Sequence, residues 1–314
     1  MTPFLQFKPI YQERVWGGRL IESFLGRKLL GAAPIGESWE IVDRSEAQSV
    51  IINGPWAGRS LHNVMSEFTE KIMGPAWSPE RPFPILVKWL DCRDRLSVQV
   101  HPPAAIAAQL GGEPKTENWY FAQTDPGAAV YAGLRAGVTR ADFERAISAG
   151  KVDQCLDRWP VRAGDSLLIP SGTMHAIDAG NVILEIQQNS DTTYRVYDWG
   201  RQGLDGRPRA LHLRESLECL SANTTMLPPL KRADGQLAQC REFTIRRLNL
   251  RAGESVAFAG SEQARILSVV GGELSSGDTL LRLGDNILLP YAAQPSFTAT
   301  VAAMLLVTED FSHP

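Results

Sequence analysis

The sequence predicts a mainly β protein of two barrel-like halves with a few appended helices, and three observations predict it. Short apolar runs bounded by Gly, Pro and Asp recur along the chain: Ser49 to Ile52, Ile85 to Leu90, Leu96 to His101, Ser166 to Ile169, Val182 to Gln187, Arg265 to Val270, Asn286 to Leu289 and Val301 to Thr308. Such spacing suggests a sandwich or barrel. At 314 residues the chain suits about two domains of roughly 100 to 200 residues each. Finally, Gly164-Asp-Ser-Leu-Leu-Ile-Pro170 is echoed by Gly284-Asp-Asn-Ile-Leu-Leu-Pro290, each a Gly-Asp turn feeding an apolar strand that proline stops. Counted on from the proline, the first copy has Gly172 and His175 where the second has Ala292 and Pro295. The second copy therefore lacks the imidazole.

Helical periodicity is confined to Thr139 to Leu156, with Thr139 as N-cap, and Leu213 to Leu220. The polar, proline-bearing segment Asn223 to Asp234 reads as a linker, so residues 1–228 and 229–314 are expected to form separate domains. Hydrophobic residues at 44% and charged residues at 21% exclude disordered, collagen-like and coiled-coil classes. A net charge of −3 without a block of like charges argues against a nucleic-acid partner. Apolar stretches such as Val301 to Val307 fall far short of the roughly 20 residues of a membrane span, so no membrane partner is expected. The opening MTPFLQFKPI has neither a basic region nor a continuous apolar one, so no signal peptide is expected and the location should be cytoplasmic. Cys92, Cys155, Cys219 and Cys240 form no CxxC pair and read as free thiols of a reducing compartment.

Four segments could carry chemistry. In Leu96-Ser-Val-Gln-Val-His-Pro102, alternation sends Leu96, Val98 and Val100 one way and Ser97, Gln99 and His101 the other. A metal or ligand would satisfy that polar row inside a barrel, and a solvent-facing strand explains the alternation equally well. The stretch Gly164 to His175 matches the second half of the cupin motif, G-x5-P-x-G-x2-H, with Ala179 where an asparagine is usual. Lys115-Thr-Glu117 reads alone as a solvated turn before Trp119 to Ala122. Glu185, Gln187 and Asn189 share one face of a run continuing through Asp191, Tyr194, Arg195 and Asp198, which suits an edge strand or a ligand wall.

Together these segments, with Trp16-Gly-Gly18 and Gly36-Glu-Ser-Trp-Glu40, resemble the shorter bacterial form of type I phosphomannose isomerase over roughly residues 11 to 201. The resemblance implies a bicupin, two cupin-like jelly-roll β-barrels of which only the first holds metal. It implies an enzyme interconverting mannose 6-phosphate and fructose 6-phosphate through an enediol. By the same resemblance Gln99, His101, Glu117 and His175 hold one Zn2+ per chain, a donor set that Mn, Co, Fe or Ni would also suit. Arg195 would stabilise the enediolate, Glu185 or Asp191 would serve as base, and Lys115 would tune or relay the proton. Lys88 and Ser97, with Arg19 as a further candidate, would anchor the 6-phosphate. His62, His212 and His313 read as surface residues. Pro103 and Ala104 stand where the family usually has charged residues, which removes polar contacts at the pocket lip. The expected partner is a small phosphorylated hexose, and the protein is expected to be a monomer or homodimer. Two rival readings are a sugar-binding or regulatory bicupin with a structural metal and a cupin oxygenase with an iron site.

Overall fold

The structure is a computed structural model and describes residues 3–222 and 227–311. Strands dominate, and among the described residues no sheet closes on itself. The chain divides into two compact units. One gathers Tyr11–Ser38 and Trp89–Leu230, the other Met1–Ile10, Trp39–Lys88 and Lys231–Pro314. They are called here the His101 unit and the Arg265 unit.

In the His101 unit, a five-stranded antiparallel sheet runs in the order Leu156–Pro160, Ala129–Leu134, His175–Ile177, Val98–Val100, Tyr194–Tyr197. A six-stranded sheet has the order Ser166–Ile169, Glu117–Thr124, Asn181–Gln188, Ile85–Cys92, Ile35–Ile41, Ile10–Gly18; residues 10, 39–41 and 85–88 of three of these strands belong to the Arg265 unit. Val130, Ala132 and Ile177 from the first sheet meet Trp119, Phe121, Leu167 and Ile183 from the second in one core. On the other face of the five-stranded sheet, Val98, Val100, Ala176 and Val196 pack with Phe143 of the helix Arg140–Ala149 and Cys219 of the helix Leu213–Ala222. The helices thus cover the apolar rows, and the polar row of the Val98 strand faces between the sheets. Leu96 breaks the expected alternation: it precedes the strand and joins the inner core.

Local signals account for most boundaries. Thr139 and Asp142 form a reciprocal capping box, but the helix stops at Gly150, whose φ of 67° supplies the left-handed C-cap. Residues to Leu156, expected as helix, instead form the 3₁₀ turn Val152–Cys155 and the start of a strand. Ser49 to Ile52, expected as a strand, makes only isolated bridges at Val50 and Ile51. A helix at Leu61–Ile72, which the sequence reading missed, is capped by Ser60 and buries Leu61, Val64, Met65 and Ile72.

The Trp16-Gly-Gly18 motif has a steric reason. A Cβ on Gly17 would lie 2.6 Å from the Ile35 carbonyl carbon and closer still to the Gly36 backbone. Since backbone of an adjacent strand has nowhere to retreat, Gly17→Ala is expected to destabilise by about 3 kcal/mol, lowering Tm by about 5 °C. Thermal unfolding of the purified variant checks this, and an unchanged Tm would refute it.

In the Arg265 unit, a six-stranded sheet of order Leu5–Gln6, Asn286–Leu289, Arg265–Gly271, Ala303–Glu309, Thr244–Leu250, Gly235–Gln239 packs on a four-stranded one of order Ser255–Ala257, Ser296–Ala299, Glu273–Ser276, Thr279–Arg282. Leu267, Ile287 and Val307 meet Leu274, Leu281 and Phe297 between them. The internal repeat is structural. Gly164 and Gly284 have φ of 89° and 100°. Asp165 and Asp285 return their carboxylates to the backbone N–H of Arg162 and Arg282 at 3.0 and 2.7 Å. The two glycine N–H groups donate to Phe121 and Val269 carbonyls at 2.8 and 2.9 Å.

Candidate metal centre

The strand register builds the centre. Gln99 sits on a central strand between His175 and Arg195, its cross-strand partners on either side, so all three share one face. Glu117 comes from the other sheet, paired with Gln187. The turn after Pro170 brings the two histidines together. Gly172, at φ 85°, donates its N–H to the His101 carbonyl at 2.7 Å, and Thr173 N–H closes the turn onto Pro170 at 3.1 Å. The imidazole centroids lie 4.8 Å apart.

His101, Glu117 and His175 are all buried and offer ligand atoms within 4.8 Å of one another, a group that could hold a metal ion. Each Nε2 is 3.3 Å from a different Glu117 oxygen. Each Nδ1 meets a backbone carbonyl, that of Thr192 at 2.7 Å for His101 and that of Thr173 at 2.9 Å for His175. A carbonyl only accepts, so Nδ1 carries the proton and Nε2 presents its lone pair. Burial pushes the His175 imidazole down to about 3, while burial and the Lys115 charge lower His101. Both rings are therefore neutral, and their contacts with Glu117 are not ion pairs. Burial would raise the Glu117 carboxyl, but the Lys115 charge outweighs it and holds it well below the usual carboxylate range.

These residues fit a divalent cation. Both Glu117 oxygens are buried without a directed hydrogen bond, although the Lys115 ammonium lies 2.6 Å from one of them. Two neutral imidazole lone pairs facing such a carboxylate repel it, and a cation between them would reverse that repulsion. Gln99 Nε2 stands 3.2 Å from His175 Nε2 and Gln99 Oε1 accepts from Ser97 Oγ at 3.2 Å; a half-turn of the amide would present oxygen to the same point.

Around the ligands lies a charged wall. The Lys115 ammonium is buried, 3.3 Å from His101 Nε2 and 4.0 Å from Glu185. Burial lowers its pKa, but the charges of Glu117 and Glu185 outweigh burial and raise it, so Lys115 is a standing cation. Glu185 is buried and accepts from Trp119 Nε1 at 3.0 Å. Its strand is central in the sheet, not at an edge. Arg195 is half-buried and donates from Nε to Ser97 Oγ at 3.3 Å and from Nη1 to the Ala210 carbonyl at 2.9 Å; burial and then the nearby Arg209 lower its pKa. Asp191 is exposed on the loop beside Thr192, and its charge contributes to raising Lys115. Pro103 caps the short helix Ala104–Ala107.

Arg19 donates to Glu22 at 2.8 and 3.2 Å and to the Ala33 carbonyl at 3.3 Å. Lys88 belongs to the Arg265 unit, buried with its ammonium 4.6 Å from the Trp39 ring centroid. His62 is exposed beside Asp43, and His313 lies outside the described residues. His212 corrects the surface reading: it is half-buried, its Nδ1 accepts from the Arg195 N–H at 3.2 Å and its own N–H donates to the Arg195 carbonyl at 2.8 Å. Sequence reasoning also missed Trp119, whose indole packs edge-on to His175 with centroids 5.4 Å apart; a tryptophan in a β run signals core and nothing more. The carbonyls of Thr173 and Thr192 carry no sequence signal at all.

A buried histidine-carboxylate group between two β-sheets, with a lysine and an arginine on its wall, defines a metal-binding β-sandwich enzyme. Residues 4–128 match the family model described as phosphomannose isomerase type I, catalytic domain. The mannose-6-phosphate isomerase of Streptococcus mutans is 37% identical over 291 residues, 88% of this chain and 89% of its own. The crystal structure of the mannose 6-phosphate isomerase of Bacillus subtilis superposes with a TM-score of 0.85 at 28% identity, covering 98% of this chain and 100% of that one. A mannose 6-phosphate isomerase bound with zinc and yttrium shares the fold, with a TM-score of 0.72 at 16% identity over 98% of this chain and 100% of that one. The chain belongs to the type I mannose-6-phosphate isomerase family.

Proposed function

We propose that this enzyme interconverts mannose 6-phosphate and fructose 6-phosphate through an enediol, using one zinc ion per chain held by Gln99, His101, Glu117 and His175. The observation that carries the reading is the placing of Lys115 between Glu117 and Glu185 beside the ligand group, since a merely structural metal needs its ligands and nothing more. When bound, the metal supplies Lewis-acid polarisation of the substrate oxygens at C1 and C2. Lys115, kept protonated by its two carboxylates, donates a hydrogen bond to the oxygen that gains charge and can pass a proton to it. Glu185, held by Trp119 Nε1, is the buried carboxylate placed to take the proton from carbon, with Asp191 as the exposed alternative. Arg195 contributes a fixed cation opposite the developing enediolate. Lys88 and Ser97 are proposed to anchor the 6-phosphate; Arg19 would have to leave Glu22 to join them.

We infer further that the two β units are the two jelly-roll barrels of a bicupin and that the second holds no metal. What supports this is the residue at the place of Glu117. Glu117 pairs with Ile169 at the end of the first repeat strand, and Arg265 pairs with Leu289 at the end of the second. There a guanidinium, bonded to Glu309 at 2.9 Å and Glu262 at 2.6 Å, stands where the first unit has its carboxylate. A cytoplasmic monomer or homodimer acting on a small phosphorylated hexose completes the proposal. Among the described residues no helix is long and apolar enough to cross a membrane.

A coupled assay of fructose 6-phosphate formation from mannose 6-phosphate tests the reading. Activity should be lost on dialysis against a strong chelator and restored by zinc. Undiminished turnover by metal-free protein, or no turnover by zinc-loaded protein, would overturn it.

A further inference from the structure

Arg195 does not hold its own position. Its Nη1 is gripped by the Ala210 carbonyl, and its backbone exchanges hydrogen bonds with both the ring and the N–H of His212. Residues 210–212 lie at the end of a loop that leaves the Tyr194–Tyr197 strand at Asp198 and returns to the helix Leu213–Ala222. What closes that loop is Asp198, whose side chain is buried between the half-buried Tyr197 and Trp199. Its carboxylate accepts from Arg201 Nη2 at 2.8 Å and from Arg209 Nε at 2.7 Å, with Arg209 Nη2 completing a two-point grip. Arg209 is the residue before Ala210. Three charge-assisted hydrogen bonds from two guanidiniums hold that carboxylate and, through it, the Arg209 side chain. On the other side, Arg195 reaches Ser97, Ser97 reaches Gln99, and Gln99 reaches His175.

We propose that Asp198 is a positioning residue for the isomerase reaction: by clamping Arg209 it fixes the Ala210 carbonyl, which aims the Arg195 guanidinium at the substrate side of Ser97. The proposal rests on the assignment of Arg195 as the cation that meets the enediolate. It extends the active site by one layer, to a residue with no contact to the metal ligands. Arg201 shares the carboxylate but leads away from Arg195, donating to Asp94 at 3.1 Å and to the Arg95 carbonyl, so Arg209 is the arm that matters.

The test is a kinetic square on zinc-loaded enzyme made of wild type, Asp198→Asn, Arg195→Ala and the double variant. Asp198→Asn should lower kcat by about 10- to 100-fold, the scale of a misplaced catalytic group, with KM moving far less and metal content unchanged. In the Arg195→Ala background the same substitution should cost nothing further, because its effect passes through the missing side chain. Equal fractional losses in both backgrounds would overturn the proposal. A second readout is independent of turnover: the Nε–H resonance of Arg195, identified by its absence in Arg195→Ala, should exchange faster with solvent in Asp198→Asn. An unaltered resonance would overturn the clamp. If Arg195→Ala itself retained wild-type kcat, the role given to Arg195 would fail, and this resonance would still decide whether Asp198 holds it. Should Asp198→Asn not fold, Arg209→Lys, which keeps the charge and loses the two-point grip, takes its place with the same expectations.

Discussion

Glu117→Gln is expected to strip the metal and with it the activity. The substitution keeps the side chain's shape and removes the one charge that faces both neutral imidazoles at 3.3 Å, so a divalent ion would lose its only anionic ligand. Metal per chain should fall to near background, and kcat/KM by about 10³ or more, since Lewis-acid polarisation is worth several kcal/mol. The loss has a second source. Lys115 would keep its burial but lose the partner at 2.6 Å, with Glu185 left at 4.0 Å. Removing one partner from a buried pair costs about 3 to 5 kcal/mol, so the variant should also unfold at lower denaturant concentration. Elemental analysis, steady-state kinetics and urea unfolding check the three parts. Retention of one metal per chain with wild-type turnover would refute the ligand assignment.

Arg195→Ala should lower kcat by about 10² or more, in the range of a lost oxyanion donor, with metal content intact. KM should change far less if the guanidinium meets charge that develops only in the transition state. A loss falling on KM would instead assign Arg195 to the phosphate. A surface pairing of Arg195 with Asp198 would have made the residue dispensable, worth about 0 to 1 kcal/mol. The structure places Arg201 and Arg209 on that carboxylate, and turns Arg195 to Ser97 and the Ala210 carbonyl. Wild-type kcat in a folded, metal-loaded variant would end the catalytic assignment.

Much of the architecture was legible because it is written in local periodicity. Ser166–Ile169 and Asn286–Leu289 were read to the residue, since a Gly-Asp turn and a proline bracket each strand. The apolar pattern from Thr139 continues past Gly150, and only the left-handed backbone there says where the helix ends. Ser60 and the spacing of the buried residues mark the helix Leu61–Ile72, but the short β-type runs on either side mask that signal.

The centre divides the same way. Which side chains of Ser97 to His101 lie on one face follows from the two-residue period of a strand, and the presence of Gln99 and His101 there was readable without coordinates. That this face looks between two sheets was not readable, because alternation is the same toward solvent. It took the packing of Val98 and Val100 against Phe143 and Cys219 to decide it. Nor could spacing alone say that Gln99 meets His175, 76 residues away, or that Ser97 meets Arg195, 98 residues away. By itself the sequence determined the polar face shared by Ser97, Gln99 and His101, the turn that presents His175 and the loss of its counterpart at Pro295. Only the tertiary structure decided that the His101 and His175 rings carry their protons on Nδ1, that Trp119 holds Glu185, and that His212 and Asp198 belong to the setting of Arg195. The physical reason is that side-chain direction is fixed by neighbouring residues, whereas convergence on a point depends on strand register and sheet packing between segments far apart in the chain.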